Sequence, residues 1–274
     1  MAWTELTREH HKRTANRYPS DLTDAEWAVV GPLLPGPNRL GRPGTVDLRR
    51  VWDAIQYLAA AGCAWSLLPK DFPPVSTVRY YFYSWRNDGR LTVINRDLVA
   101  AARQAQGRDA RPTAGVIDSQ SVKTSENTSL SGFDAGKRIK GRKRHIITDT
   151  CGHLIACEVH AANIQDRDGA PGVFAKLRRE APKLRHVFAD GGYAGPKLRG
   201  ALVNLGRWTL QIIKRSDTAE GFEVLPRRWV VERTFAWLGR CRRLARDWEK
   251  TVESAEAWVL IAYIRRMTRL LARP

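Results

Sequence analysis

Apolar positions in the first ninety residues recur at helical spacing. Thr23 followed three residues later by Glu26 (TDAE) is a capping-box pattern, predicting a helix over 25–34 that carries Trp27 and Val30. The stretch GPLLPGPNRLGRPG, dense in Gly and Pro, breaks it. Thr45 or Asp47 then caps a second helix. Its Leu48, Val51, Trp52, Ile55, Leu58 and Ala59 repeat at i, i+3 and i+4, and Gly62 ends it. After a short turn over 65–69, Pro74 suits the first turn of a further helix over 75–87. Helix, tight connection, helix is the helix-turn-helix pattern, in which Ser76, Thr77, Arg79, Tyr80 and Tyr83 are the side chains able to reach a major groove. The alternative is an ordinary helical bundle with Tyr80, Phe82 and Trp85 in its core.

Past residue 110 the texture changes. AQGRDARPTAG, with Gly107, Pro112 and Gly115, has the composition of a linker. It divides a helical domain, 1–105, from a second domain, 114–274, with 106–113 between them. In the second domain an apolar run over 114–117 ends at Asp118. Runs over 144–148 and 154–161 flank the turn DTCGH and predict a hairpin. A short amphipathic helix follows over 168–180, then an apolar run over 184–189 ending at Asp190. A helix over 196–205, a strand over 208–213, a long helix from 226 to about 248 and a last helix over 254–271 complete the order. The order β–ββ–α–β–α–β–α predicts an α/β fold, a mixed sheet flanked by helices.

Charge changes the picture. Lys and Arg number 46 against 28 Asp and Glu, a net +18, and the pI is about 10.3. A folded, strongly basic chain points to a polyanion, most often nucleic acid. The excess is uneven: residues 1–110 carry 15 − 11 = +4, and residues 111–274 carry 31 − 17 = +14. The run KRIKGRKR (137–144) is six-eighths basic, and a second concentration spans 227–250. A solvated face is the plainer account of either run. No apolar stretch is long enough for a membrane span, and MAWTELTREHHKR has no apolar signal core, so a cytoplasmic chain is expected. The four cysteines form no CxxC pair, which suits reduced thiols. Cys151, His153, Cys157 and His160 look like a zinc set, but strand alternation puts Cys157 and His160 on opposite faces.

Two features carry chemistry. Asp118 and Asp190 each follow an apolar run directly, and a carboxylate at a strand's C-terminal end faces the crevice where α/β folds place ligands. An aspartate capping a turn is the plainer account of either one. Along the long helix, at about 100° per residue, Arg228, Glu232, Arg243, Arg246 and Lys250 fall on one face. Glu232 is the one acid on that stripe. It is either an ion-pair partner of Arg228 or a metal ligand where a phosphate backbone lies. Three carboxylates suit Mg²⁺, a hard cation, and two such ions roughly 3.5–4 Å apart activate the attacking oxygen and stabilise the leaving oxygen of a phosphodiester.

GVIDSQSVKTSE (115–126), GKRIKGRKRHIITDTCGHLIACEVHAANIQDRDGA (136–170), HVFADGGYAG (186–195) and RRWVVERTFAWLGRCRRLARDWEK (227–250) together resemble the DDE transposases of bacterial insertion sequences, in the compact group with an RNase H-like catalytic domain. The preceding YPSDLTDAEWAVVGPLLP resembles that group's small helical domain. The resemblance covers about residues 18–265. It implies that Asp118, Asp190 and Glu232 are the catalytic, metal-binding acids, spaced 190 − 118 = 72 and 232 − 190 = 42, with no room for a large insertion domain. The family's Tyr-x2-Arg-x3-Glu-x6-Lys signature is met at Arg228 and Glu232. Leu225 stands at its Tyr and Gly239 at its Lys, with Arg240 adjacent. The resemblance further implies two Mg²⁺ (Mn²⁺ substituting) with Asp118 bridging them, and no organic cofactor. It implies binding of terminal inverted repeats and target DNA, cleavage and strand transfer, and a homodimer or larger synaptic complex. Phosphate contacts are expected from Lys137, Arg138, Lys140, Arg142, Lys143, Arg144, Arg228, Arg240, Arg243 and Arg246. The rival readings are an RNase H-like endonuclease without strand transfer and an inactive helix-turn-helix regulator.

Overall fold

The computed structural model describes residues 4–5, 18–35, 46–126, 128–213 and 226–273. Its N-terminal helices are α1 (Asp24–Val30), α2 (Leu48–Ala61), α3 (Val75–Asn87) and α4 (Arg90–Ala105). There follow β1 (Ala114–Lys123), β2 (Gly132–Asp134), β3 (Ile139–Asp149), β4 (Leu154–Ala161), α5 (Asp166–Glu180), β5 (His186–Ala189), α6 (Pro196–Leu205), β6 (Thr209–Ile212), α7 (Pro226–Leu238) and α8 (Val252–Leu271). The capping box at α1 is present in both directions, Thr23 to the Glu26 amide and Glu26 to the Thr23 amide. Asp47 caps α2, and Gly62 closes it in the left-handed conformation. Helix α4 is an addition to the elements expected from the sequence pattern.

The sheet runs β2–β3–β1–β5–β6, with β4 also paired to β3. β3 runs antiparallel to β1 and β4, and β5 lies parallel to β1 and β6. This is a mixed sheet of the RNase H-like kind. On one face Ile117, Ile147, Val187 and Ala189 pack against Val173, Phe174 and Leu177 of α5 and Leu198 and Leu202 of α6. On the other, Val116, Ile146 and Phe188 meet Val231, Phe235 and Leu238 of α7 and the apolar side of α8.

That second core does not stop at the sheet. It continues without a break through α8 into Trp52, Ile55, Phe82, Trp85 and Leu98 of the N-terminal helices. Trp258 of α8 stacks on Phe82 at 4.7 Å between ring centres. Burying a side chain of this size contributes about 2–3 kcal/mol. Residues 106–113 therefore mark a change of secondary structure and not a gap in packing.

Two expectations are corrected. The strand ending at Asp118 runs on to Lys123, because the polar residues beyond it find partners: Ser119 Oγ donates to Asp166 (2.8 Å) and Ser121 Oγ to Asp134 (2.6 Å). The long helix ends at Leu238, ten residues early. The chain leaves it through tighter turns, the Arg240 N–H on the Trp237 carbonyl (3.2 Å) and the Cys241 N–H on the Leu238 carbonyl (2.9 Å), and a 3₁₀ turn follows at Arg242–Leu244.

Candidate functional site

β1 and β5 pair as Ala114 with His186, Gly115 with Val187 and Val116 with Phe188. The register offset is 186 − 114 = 72, the separation of the two aspartates. Continuing it sets Asp118 abreast of Asp190, on neighbouring parallel strands about 4.8 Å apart. Both fall on the pleat side of Val116 and Phe188. Asp190 follows β5 in extended conformation (ψ −179°). Each carboxylate is oriented by a backbone amide: Asp118 Oδ1 accepts from the Ser119 N–H (2.7 Å), and Asp190 Oδ1 from the Gly192 N–H (2.8 Å).

α7 covers this face, touching β1, β3 and β5. Val231 and Phe235 are its buried side, and Glu232, between them, is half-buried like Asp118 and Asp190. The three acids thus come from elements packed on one another. Tyr193, a buried residue outside the sequence expectations, lies close by. Burial first, then the carboxylates of Asp118, Asp166 and Asp190, raise its phenol well above the usual range, so it stays protonated. It pairs with His145 Nδ1 at 3.1 Å. Its place in HVFADGGYAG, three residues after Asp190, is the one sequence signal for it.

Asp166 begins α5, where a negative side chain is favoured by the helix N-terminus. Its carboxylate meets Lys143 Nζ (2.9 Å) and Ser119 Oγ (2.8 Å). Burial alone would raise it, but those hydrogen bonds hold it below the usual carboxylate range. His145 is kept neutral by burial and by neighbouring His160.

The basic run is corrected most. Strand β3 has both faces covered, so its cations alternate inward. Arg142 is 0 % exposed. It pairs with Asp247 (3.3 Å) and donates to the carbonyls of Leu130 (2.9 Å), Glu249 (2.9 Å) and Lys250 (3.0 Å). Arg144 is buried and donates to the Leu244 carbonyl at 2.8 Å. Lys143, also buried, faces the other way toward Asp134 (3.6 Å) and Asp166. Arg243 is buried against Glu249 (2.7 Å) and Trp258. Half-buried Arg246 donates to the Thr124 carbonyl at 2.7 Å. None of Arg142, Lys143, Arg144 or Arg243 has surface to offer a DNA phosphate. Lys137, Arg138, Lys140 and Arg240 remain exposed. Arg228 lies in α7, with its side chain outside the described residues.

The zinc set does not form. Cys157 is in the core of one face, while His160 lies against His145 on the other, ring centres 4.8 Å apart. Asp149, Cys151 and His153 do gather, with donor atoms within 4.8 Å of one another. They are committed already. Asp149 accepts from the Cys151 and His153 amides (2.8 Å each) and pairs with Arg103. His153 meets the Tyr263 hydroxyl (3.2 Å) and Gln106 (3.3 Å). Burial, then Asp149, raise the Cys151 thiol, which keeps it protonated. This turn is a latch between the hairpin, α4 and α8.

On α3 the expected reading face is partly open: Ser76, Arg79, Tyr80 and Tyr83 are exposed and Thr77 half-buried, while Phe82 and Trp85 are core. Among the described residues no helix is long and apolar enough to cross a membrane.

Comparison with known proteins gives the family. Residues 109–265 match the family described as "Transposase DDE domain", and residues 22–95 match "Putative transposase of IS4/5 family". A curated relative, "Putative transposase for insertion sequence element IS402" from Burkholderia cepacia, is 33% identical over 120 residues. That match takes in 41% of this chain and 56% of the relative, so the chain spans a little over half the length of the relative it matches. With the first of these matches covering more than half of its length, the chain belongs to the DDE-domain transposase family.

Proposed function

We propose that this chain cuts and joins DNA at the ends of an insertion sequence, with Asp118, Asp190 and Glu232 as its catalytic acids. The observation that carries the reading is the register of β1 on β5, which sets two aspartates 72 residues apart side by side beneath the helix bearing Glu232. Magnesium fits this donor set, three partly exposed carboxylates with two held in orientation by backbone amides. The Asp149–Cys151–His153 group, with a soft donor and its carboxylate engaged, does not. When bound, Mg²⁺ there supplies an activated attacking oxygen and charge stabilisation of the leaving one; Mn²⁺ substitutes.

Asp118, Asp190 and Glu232 hold the reacting phosphate's surroundings in place, and the backbone bonds spare the two aspartates reorganisation. In the first step a water oxygen bonds to phosphorus at the element end, and the 3′ oxygen leaves and gains a proton. In the second, that 3′ hydroxyl loses its proton, attacks a target phosphodiester and displaces the target's own 3′ oxygen. Protonated Tyr193 beside the acids adds no further negative charge. Exposed Lys137, Arg138, Lys140 and Arg240, with Arg228, carry backbone phosphates, and Ser76, Thr77, Arg79 and Tyr80 of α3 face the inverted repeats. Joining two ends calls for a dimer or larger synaptic complex.

The test uses the full chain with Mg²⁺ and a duplex from the flank of its gene, ending in a 3′ hydroxyl. Asp118→Asn, Asp190→Asn and Glu232→Gln are expected to abolish both nicking and strand transfer while the duplex is still bound. Wild-type nicking in any one of them removes that residue from the assignment. Nicking with no joined product would favour the endonuclease reading.

A further inference from the structure

A second basic site lies where α2, the end of α7 and α8 meet. There a cavity of about 330 Å³ is lined by Trp237 and by Arg240, Arg265, Arg266, Arg269 and Arg273. No acidic side chain among the described residues lines it. Arg269 has a carboxylate neighbour, Glu26 at 3.3 Å. Arg265 spends its guanidinium on the carbonyls of Gln56 (3.3 Å) and Pro19 (3.4 Å). Arg266 lies flat on Trp237, 3.1 Å from the ring centre, with Arg233 against the same ring at 4.8 Å. The buried Nε of Arg266 makes no hydrogen bond. Burial and then Arg269 lower Arg265; burial also lowers Arg266, the Tyr263 hydroxyl it hydrogen-bonds works against that, and Arg233 and Arg240 add to the lowering. Guanidiniums stay charged throughout the ordinary pH range. Like charges gathered against an aromatic wall are a standing cost that an anion relieves, and guanidinium forks match phosphate oxygens.

We infer that this arginine-walled cavity is a binding site for a backbone phosphate of DNA, separate from the three acids. The inference rests on the DNA-processing reading above. DNA is favoured over a small anion by placement. Trp237 is 237 − 232 = 5 residues beyond Glu232 on α7, about 7.5 Å along the axis and about 140° around it, so a partner reaching both must be large enough to wrap the helix, as a duplex is and a small anion is not. Arg240 and Arg273 stand exposed at the rim, where a duplex can reach them. The interior pairing of Arg142, Lys143, Arg144 and Arg243 leaves this cavity, among the described residues, as the densest cluster of arginines facing an opening.

The experiment measures affinity of the full chain for a random-sequence duplex of about 20 base pairs across a salt series, where each lost phosphate contact flattens the log–log slope by about 0.9. Arg273→Glu changes only the rim and leaves Arg240 in place, and Arg266→Ala removes the guanidinium on Trp237; melting temperature reports whether each still folds. A slope shallower by about 1 in the rim variant is expected, with Asp118→Asn keeping the wild-type slope. An unchanged slope in the folded rim variant overturns the inference. Inorganic pyrophosphate is titrated in parallel: tight binding to wild type with the salt slope unaffected by the rim variant would make this a free-anion site and also defeat it. Since the slope is read without cleavage, nicking by Asp118→Asn would sink the acid assignment and leave this result standing.

Discussion

Replacing Arg142 with Met distinguishes a DNA-contacting arginine from a structural one. The guanidinium has no exposed surface. It faces Asp247 at 3.3 Å and donates to the carbonyls of Leu130, Glu249 and Lys250. Methionine fills most of the volume but leaves the buried Asp247 carboxylate without its cation. Breaking one side of a buried pair costs about 3–5 kcal/mol, a large share of the ~5–15 kcal/mol that holds a domain folded. At about 2–4 °C per kcal/mol for a chain of this size, the melting temperature should fall by roughly 6–20 °C. Urea unfolding should show a lower midpoint with an unchanged slope. Removing both charges with Arg142→Met/Asp247→Leu should recover part of the loss, because the orphaned carboxylate then goes too. Below the variant's melting temperature, the salt dependence of DNA binding should match wild type. Wild-type stability together with a flattened salt slope would refute the placement of Arg142 inside the protein.

Two further outcomes follow from individual side chains. Asp53 is buried and accepts from the Leu22 amide (2.9 Å); burial, and after it Asp21, push it from an ordinary 3.8 up to about 6. The folded state therefore holds this proton more tightly, and stability falls as pH rises from about 4 to 6. The Asp53→Asn variant, which keeps the acceptor, should be more stable than wild type by up to about 3 kcal/mol above pH 6 and equal to it below pH 4; a pH-independent difference would contradict this. Tyr80, 66 % exposed on α3, should tolerate Ala with less than about 0.5 kcal/mol change in stability while weakening inverted-repeat binding; unaltered binding would remove α3 from the interface.

Much of the candidate site is legible in the chain because its signals are local. Asp118 and Asp190 stand at or after apolar runs, and Gly192 follows the second where a backbone amide must turn back to its carboxylate. The helices over 48–61 and 75–87 carry clean periodicity and caps. The helix over 90–105 has similar periodicity but opens on a left-handed Gly89, and its cap comes from one residue earlier, Asp88 accepting from the Arg90 amide (2.8 Å), so the start signal is out of its usual place. The overlong helix after residue 226 is a different error. The apolar pattern of Cys241, Leu244 and Trp248 continues in helical phase past Leu238, while the chain itself turns off through the bonds of Arg240 and Cys241 to the Trp237 and Leu238 carbonyls.

The sequence alone supplied Asp118, Asp190 and Glu232 as candidate acids, with their order and separations, since residue types and the apolar runs before the two aspartates are local properties. It also determined the sign and unevenness of the charge. Only the tertiary structure decided what each charge does. Nothing within KRIKGRKR distinguishes exposed Lys140 from fully buried Arg142, because the partner that draws Arg142 inward, Asp247, lies 105 residues away. The same holds for the arginine-walled cavity, whose wall comes from three separate elements. Periodicity reports which way a side chain points from its own strand or helix, and long-range packing decides what it meets there.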